Sequence, residues 1–295
     1  MTNWKIWLSA ARPQTLAAAF IPVLAGASLA WAHHSLHIAA SGVALFCALA
    51  IQVGTNFAND YFDFKKGADT DERIGFQRAT ASGLILPESM LRATILTMGI
   101  AFLAGLYLVW IGGWVIFWIG IFSLIFGILY TGGPFPLGYN GLGDLFVFLF
   151  FGFVAVMGTY YVNTLQWSGE AFLVSIPVGA LCVNILVVNN LRDIDQDRLT
   201  GKKTLGVLFG ERILKLEYLA MIMIAFASLW PLYTHFDYNL AIFLPVLGLP
   251  FAVLQLKSVW FHNDKSDLNK TLERTAQFMI LFGMLLSIAI ALQSP

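Results

Sequence analysis

Long apolar runs, broken by short polar turns and two long charged connections, set the pattern of this chain. A run of about 20 mostly apolar residues crosses a bilayer core of ~30 Å as a helix. Nine such runs can be drawn: Thr15–Trp31, Ile38–Phe57, Ala93–Ile111, Trp114–Tyr130, Leu145–Tyr161, Phe172–Val188, Tyr218–Tyr233, Leu240–Leu256 and Ala276–Leu292. The pair Gly112-Gly113 divides the third run from the fourth, which otherwise read as one segment. Prolines Pro22, Pro177, Pro231, Pro245 and Pro250 fall in or near these runs; in a membrane, neighbouring helices re-satisfy the backbone groups a proline frees. The predicted fold is all-α, a polytopic membrane protein with nine transmembrane helices in a bundle.

Composition agrees with a lipid bilayer as the chain's surroundings. Of 295 residues, 58% are hydrophobic and only 12% charged, against roughly 25% charged in a soluble domain. The net charge is zero, which gives no case for a nucleic-acid partner. Cys47 and Cys182 both lie inside apolar runs and read as small buried side chains without a disulfide framework. Lys5 and Arg12 precede an apolar stretch, but no small-residue cleavage site follows, so a cleavable signal is not expected.

Charge placement predicts the orientation. With nine spans, all 17 Lys and Arg residues fall on the side of the N-terminus. The positive-inside rule makes that side cytoplasmic, in a multi-pass plasma (inner) membrane protein whose N-terminus and charged loops face the cytoplasm. The opposite face carries little charge. Its first loop holds His33, His34 and His37; a short polar loop is the simpler reading than a metal site, since no carboxylate or Cys lies nearby in sequence.

The candidate chemistry sits in the two long charged connections. The first reads Asn56-Phe-Ala-Asn59-Asp60-Tyr-Phe-Asp63-Phe-Lys65-Lys66-Gly67-Ala-Asp69, and the second Asn189-Asn190-Leu-Arg192-Asp193-Ile-Asp195-Gln-Asp197-Arg198, followed by Gly201-Lys202-Lys203-Thr204. On continuing helices Asn56, Asn59, Asp60 and Asp63 share a face, and so do Asp193 and Asp197, while Asp195 points elsewhere. Stacked carboxylates repel unless a cation lies between them. Hard oxygen donors without His or Cys suit Mg²⁺. The interleaved Lys and Arg make sense if the metal arrives with an anion such as diphosphate. Similar clusters at matching places in two halves predict pseudo-repeated Asp-rich helix ends with a ligand between them.

The pattern Asn59-Asp60-x-x-Asp63 with Asp193-x-x-x-Asp197 on nine spans resembles the UbiA superfamily of intramembrane aromatic prenyltransferases, over nearly the whole chain. The strings NDYFDFKKGADTDERIG from Asn59, YTGGPFPLGYNGLGDLFVFLFFG from Tyr130, GTYYV from Gly158 and NNLRDIDQDRLTGKKTL from Asn189 look like its naphthoate-prenylating branch. The general superfamily pattern places an Asp where this chain has Gly67; the next acid is Asp69, as in that branch. The share of metal binding between Asp60 and Asp69 stays open.

The resemblance implies one domain over residues 1–295, in which Mg²⁺ holds the diphosphate of a polyprenyl diphosphate between the clusters. Asn59, Asp60, Asp63 and Asp69 would serve one side and Asp193 and Asp197 the other. Arg78, Lys202 and Lys203, with Arg73 and Arg192 after them, would meet the diphosphate oxygens. The prenyl group would pass to 1,4-dihydroxy-2-naphthoate with loss of CO₂ and diphosphate, giving demethylmenaquinol. Tyr130, Tyr160 and Tyr161 are candidates to shield a carbocation, against ordinary packing or interfacial anchoring. Asp144 would orient or deprotonate the acceptor, or serve only as a helix N-cap. Two alternatives are a sister enzyme prenylating 4-hydroxybenzoate or homogentisate and, from another class, a cation-coupled transporter. Against transport, the acids crowd one membrane side and no span centre holds a charge.

Overall fold

The structure, a computed structural model, describes residues 3–68, 74–75 and 78–293. Its helices are α1 (Asn3–Ala11), α2 (Ala17–Ala32), α3 (Ile38–Lys65), α4 (Pro87–Leu129), α5 (Gly143–Thr164), α6 (Gly169–Leu199), α7 (Leu205–Phe209), α8 (Glu211–His235), α9 (Leu240–Trp260) and α10 (Asp267–Ala291). Local chemistry fixes several starts. The Ser168 hydroxyl accepts from the backbone N–H groups of Glu170 and Ala171 at the head of α6, and Thr204 accepts from Val207 at the head of α7.

Seven of these helices are long and apolar enough to cross a membrane, and the α1–α2 pair, bent by 52°, makes an eighth. At about 1.5 Å per residue, the 43-residue α4 is twice the length a bilayer needs. It doubles back at Gly113, whose φ of 66° and ψ of −154° belong to a region open essentially to glycine. Met98 in its first arm and Gly127 in its second both lie against the Ile51–Thr55 stretch of α3. Counting both arms, the described residues make nine apolar passes, the number the hydropathy pattern predicts. Trp110, Trp114 and Trp118 project outward around the α4 bend, as aromatic belts do at a membrane interface.

Helix α6 runs through the middle of the bundle and is buried along most of its length. Close approach to α5 depends on missing side chains: a Cβ on Gly152 would lie 3.0 Å from the Cα of Gly179. Around Gly152, α5 widens into a π-helical stretch, Phe148–Val154, a form often found at functional sites.

The bundle has two polar ends. At one, α3 and α6 finish with their acid clusters. There α1 packs Ile6 and Ala10 against Phe57 while exposing Trp4 and Leu8, as a helix lying in the interface does. At the other end, His33 Nε2 lies 2.8 Å from Glu170 and its Nδ1 lies 2.7 Å from the Tyr160 hydroxyl. The Tyr238 hydroxyl donates to Glu170, and burial together with the Glu170 charge raises the Tyr238 phenol above its usual range. His37 instead caps α3 through Ala40. The histidines thus do not converge. A carboxylate remote in sequence joins one of them.

Asp60 anchors the connection from α3 to α4. It is buried, and its two oxygens accept from the backbone N–H groups of Ala79 (3.1 Å) and Thr80 (3.0 Å). Asp60→Ala is therefore expected to cost about 3 kcal/mol by leaving two buried donors unsatisfied, read as a lower unfolding temperature in detergent. Single cysteines at Lys66 and Phe261, both exposed, should label from one side of the membrane, and cysteines at His34 and Trp167 from the other. Cys47 and Cys182 are buried and should stay silent.

Candidate active site

A cavity of about 390 Å³ opens among α2 to α6, with Asn59, Asp63, Asp193 and Asp197 in its polar wall. From there it runs towards the far end of the bundle past Cys47, Leu108 and Ile116. Phe126, Phe146 and Phe150 form one aromatic wall, with ring centroids 5.0, 5.4 and 6.1 Å apart.

Each acid on this wall has a defined setting. Asp63 accepts from Arg78 Nη2 at 2.8 Å on Oδ2 and from the Tyr139 hydroxyl at 2.7 Å on Oδ1. Asn59 accepts from the Thr131 hydroxyl at 2.8 Å. Asp193 holds a bidentate pair with Arg192, both bonds 2.7 Å. Lys202 Nζ lies 3.6 Å from Asp63 and 3.8 Å from Asp197, so one ammonium spans the two clusters. Asp195 points away, exposed and 2.6 Å from Lys265, as the helical spacing requires.

The sequence candidates divide accordingly. Asn59, Asp63, Asp193, Asp197, Arg78, Lys202 and Tyr130 line the cavity. Asp60 lies outside this cavity lining and turns to its loop, where its oxygens accept from the Ala79 and Thr80 amides. Arg192 is 2% exposed and fully engaged with Asp193, Asn189 and Asn269, so its role is to balance Asp193 and hold α10. The Lys203 side chain is exposed, and only its backbone joins the site, donating to the Tyr139 carbonyl at 2.8 Å. Tyr160 lies at the opposite end of the bundle with His33. Asp144 is buried outside the cavity lining, with Oδ1 lacking a hydrogen-bond partner; it stands in the first turn of α5, whose N-cap position is Leu142. Asp69 and Arg73 lie outside the described residues.

Two residues that sequence reading used otherwise also reach the site. Arg12 lines the cavity from the α1–α2 bend, where it adopts a left-handed φ of 52°. Tyr139 sits on the turn Leu137–Tyr139, after Pro136, inside the glycine-rich string. Only the tyrosine's company in space, not its spacing, sets it apart.

Whether these groups suit Mg²⁺ follows from their chemistry. Among the described residues no three Asp, Glu, His or Cys side chains converge on one point, so the protein provides no closed cage. Mg²⁺ does not require one: it keeps waters and binds through one or two carboxylates plus substrate phosphates. Oxygen-only donors from two helix ends, with Lys202 between Asp63 and Asp197 and Arg78 on Asp63, fit a metal that comes with a polyanion.

Comparison with known proteins identifies the family. Residues 19–289 match the UbiA prenyltransferase family. The 1,4-dihydroxy-2-naphthoate octaprenyltransferase of Escherichia coli is 35% identical over 99% of this chain and 97% of its own length. That of Mycobacterium tuberculosis is 39% identical over 76% of this chain and 77% of its own. A UbiA homologue from Archaeoglobus fulgidus, solved bound to GPP and Mg²⁺, superposes with a TM-score of 0.67 at 12% identity, covering 96% of this chain and 99% of that one. The chain, a multi-pass integral membrane protein, belongs to the UbiA prenyltransferase family.

Proposed function

We propose that this single-domain chain transfers a polyprenyl group from polyprenyl diphosphate to 1,4-dihydroxy-2-naphthoate, releasing diphosphate and CO₂ and forming demethylmenaquinol. The observation that carries the reading is the pair of acid clusters, from helices far apart in sequence, facing one aromatic-walled apolar cavity with Lys202 between them. The naphthoate acceptor is supported by the relatives and by the strings at Asn59, Tyr130 and Asn189.

Bound Mg²⁺ would act as a Lewis acid on the departing diphosphate. Asn59, Asp63, Asp193 and Asp197 would hold it. Thr131 orients Asn59, and Arg78 orients Asp63. Lys202 and Arg78 would neutralise diphosphate oxygens as the donor C–O bond breaks. Phe126, Phe146, Phe150 and Tyr130 would keep water from the allylic cation and offer it their π faces. The new C–C bond would form at the ring carbon bearing the carboxylate, whose loss as CO₂ returns its electron pair to the ring. The concentration of Lys and Arg at this end of the bundle supports a cytoplasmic orientation for it. No feature of the cavity favours transport over transfer, because its charges stay at one end.

Purified protein with Mg²⁺, a polyprenyl diphosphate and dihydroxynaphthoate should yield prenylated, decarboxylated naphthoquinol, with diphosphate and CO₂ in equal amounts. EDTA should stop it, and 4-hydroxybenzoate should react poorly. Prenylated hydroxybenzoate as main product would move the chain to a sister activity; metal-dependent ion flux without prenylation would refute it. In the same assay Asp63→Ala and Asp193→Ala should nearly abolish turnover, and Asp195→Ala should leave it within about twofold of wild type, as for an exposed surface change.

A further inference from the structure

We infer that Tyr139 is the positioning residue that ties the two acid clusters into one metal–diphosphate site, its hydroxyl aiming Asp63 and its ring seating Lys66 and Lys202. The inference rests on the metal–diphosphate reading of the cavity and not on the identity of the acceptor.

Four contacts converge on this residue, three of them on its side chain. Its hydroxyl donates to Asp63 Oδ1 at 2.7 Å. Its ring carries the Lys66 ammonium 4.4 Å from the centroid and the Lys202 ammonium at 4.7 Å. Its carbonyl accepts from the Lys203 N–H at 2.8 Å. The first cluster thus supplies Asp63 and Lys66, and the second supplies Lys202 and Lys203. The connection between α4 and α5 provides the piece that touches both.

The local fold holds the tyrosine there. Pro136 leads into the 3₁₀ turn Leu137–Tyr139, the Asn140 side chain closes that turn by donating to the Pro136 carbonyl at 2.7 Å, and the Gly138 N–H returns to the Tyr130 carbonyl at 2.9 Å. Lys66 also donates to the Thr131 carbonyl at 2.6 Å, and the Thr131 hydroxyl in turn holds Asn59. Desolvation, reinforced by Lys202 and opposed by Asp63, holds the Lys66 ammonium below the usual lysine range.

The chemistry of each contact assigns its part. A carboxylate oxygen has two acceptor sites, so Asp63 keeps capacity for a metal while Tyr139 and Arg78 fix its plane. Hydrogen bonds of this kind behind a metal ligand raise metal affinity. The ring face attracts ammonium groups, and it keeps Lys202 beside the gap between Asp63 and Asp197. From there Lys202 can turn to an arriving diphosphate without leaving the aromatic surface. Lys66 stays on the opposite cluster as the second cation.

Two substitutions separate these parts in the full-length protein in detergent, with Mn²⁺ and pyrophosphate as probes. Tyr139→Phe removes the hydroxyl and keeps the ring: Mn²⁺ affinity at saturating pyrophosphate, read by electron paramagnetic resonance, should fall about 10- to 100-fold. Pyrophosphate affinity at saturating Mn²⁺ should change less than about twofold, the ring contacts being intact. Tyr139→Leu should show the same metal defect and in addition lose pyrophosphate affinity several-fold. Lys66→Met tests the ring contact without touching Tyr139, should Tyr139→Leu fail to fold; it should lower pyrophosphate affinity and spare Mn²⁺. Unchanged Mn²⁺ affinity in Tyr139→Phe would overturn the inference. So would identical behaviour of the Phe and Leu variants, or a Tyr139→Phe loss matched by a lower unfolding temperature without ligand, which would make the residue a packing element only. Neither probe involves an acceptor, so failure of the naphthoate assay would leave this result standing.

Discussion

Carboxylates at the edge of a membrane must be matched by positive charge, and that constraint organises one whole end of this protein. Burying an unpaired carboxylate costs several kcal/mol, so each acid in the cavity wall is given a partner. Arg192 takes Asp193 through a bidentate pair, Arg78 takes Asp63, and Lys202 divides itself between Asp63 and Asp197. These cations come from separate segments. Balancing the charge therefore draws together the ends of α3 and α6, the connection after each, and the start of α10 through Asn269. In the proposed reaction, Arg78 and Lys202, which make the acids tolerable in the free protein, would also meet the diphosphate.

This arrangement also explains the contrast between the two ends of the bundle. At the far end, polar groups are few and satisfy one another: Tyr160, His33, Glu170 and Tyr238 form one closed chain. None of these four side chains lines the cavity. The apolar length between the ends is lined by phenylalanines on α4 and α5, and it extends to Ile116 and Phe117 near the bend in α4. A charged headgroup at one end and a hydrocarbon chain along the rest is the shape such a space accepts.

Much of this was legible in the chain. Apolar runs gave the passes, because a bilayer forces helices of fixed length, and Gly112-Gly113 marked the reversal within α4. The i, i+4 spacing separated Asp193 and Asp197 from Asp195, which now pairs with exposed Lys265. Other assignments failed where tertiary structure redirects a side chain. Asp60 stands beside Asn59 in the motif, yet it turns to the Ala79 and Thr80 amides and stays outside the cavity lining. Arg192 adjoins Asp193 and is consumed by it. Tyr160 shares a motif with Tyr161 but faces His33 across the far end, and Asp144 turns behind the cavity wall. Tyr139 and Arg12 show the converse: a loop and a helix bend deliver them to the site, and neither has a periodicity to reveal it.

The central claim is that clusters remote in sequence act as one site. A double-mutant cycle on Asp63→Asn and Asp197→Asn, with joint Mn²⁺ and pyrophosphate binding measured by calorimetry, tests it most directly. If the clusters share the ligand, the double variant should lose little more than either single one, a coupling of at least about 1 kcal/mol between them. Strictly additive losses would mean two independent sites and would contradict the account.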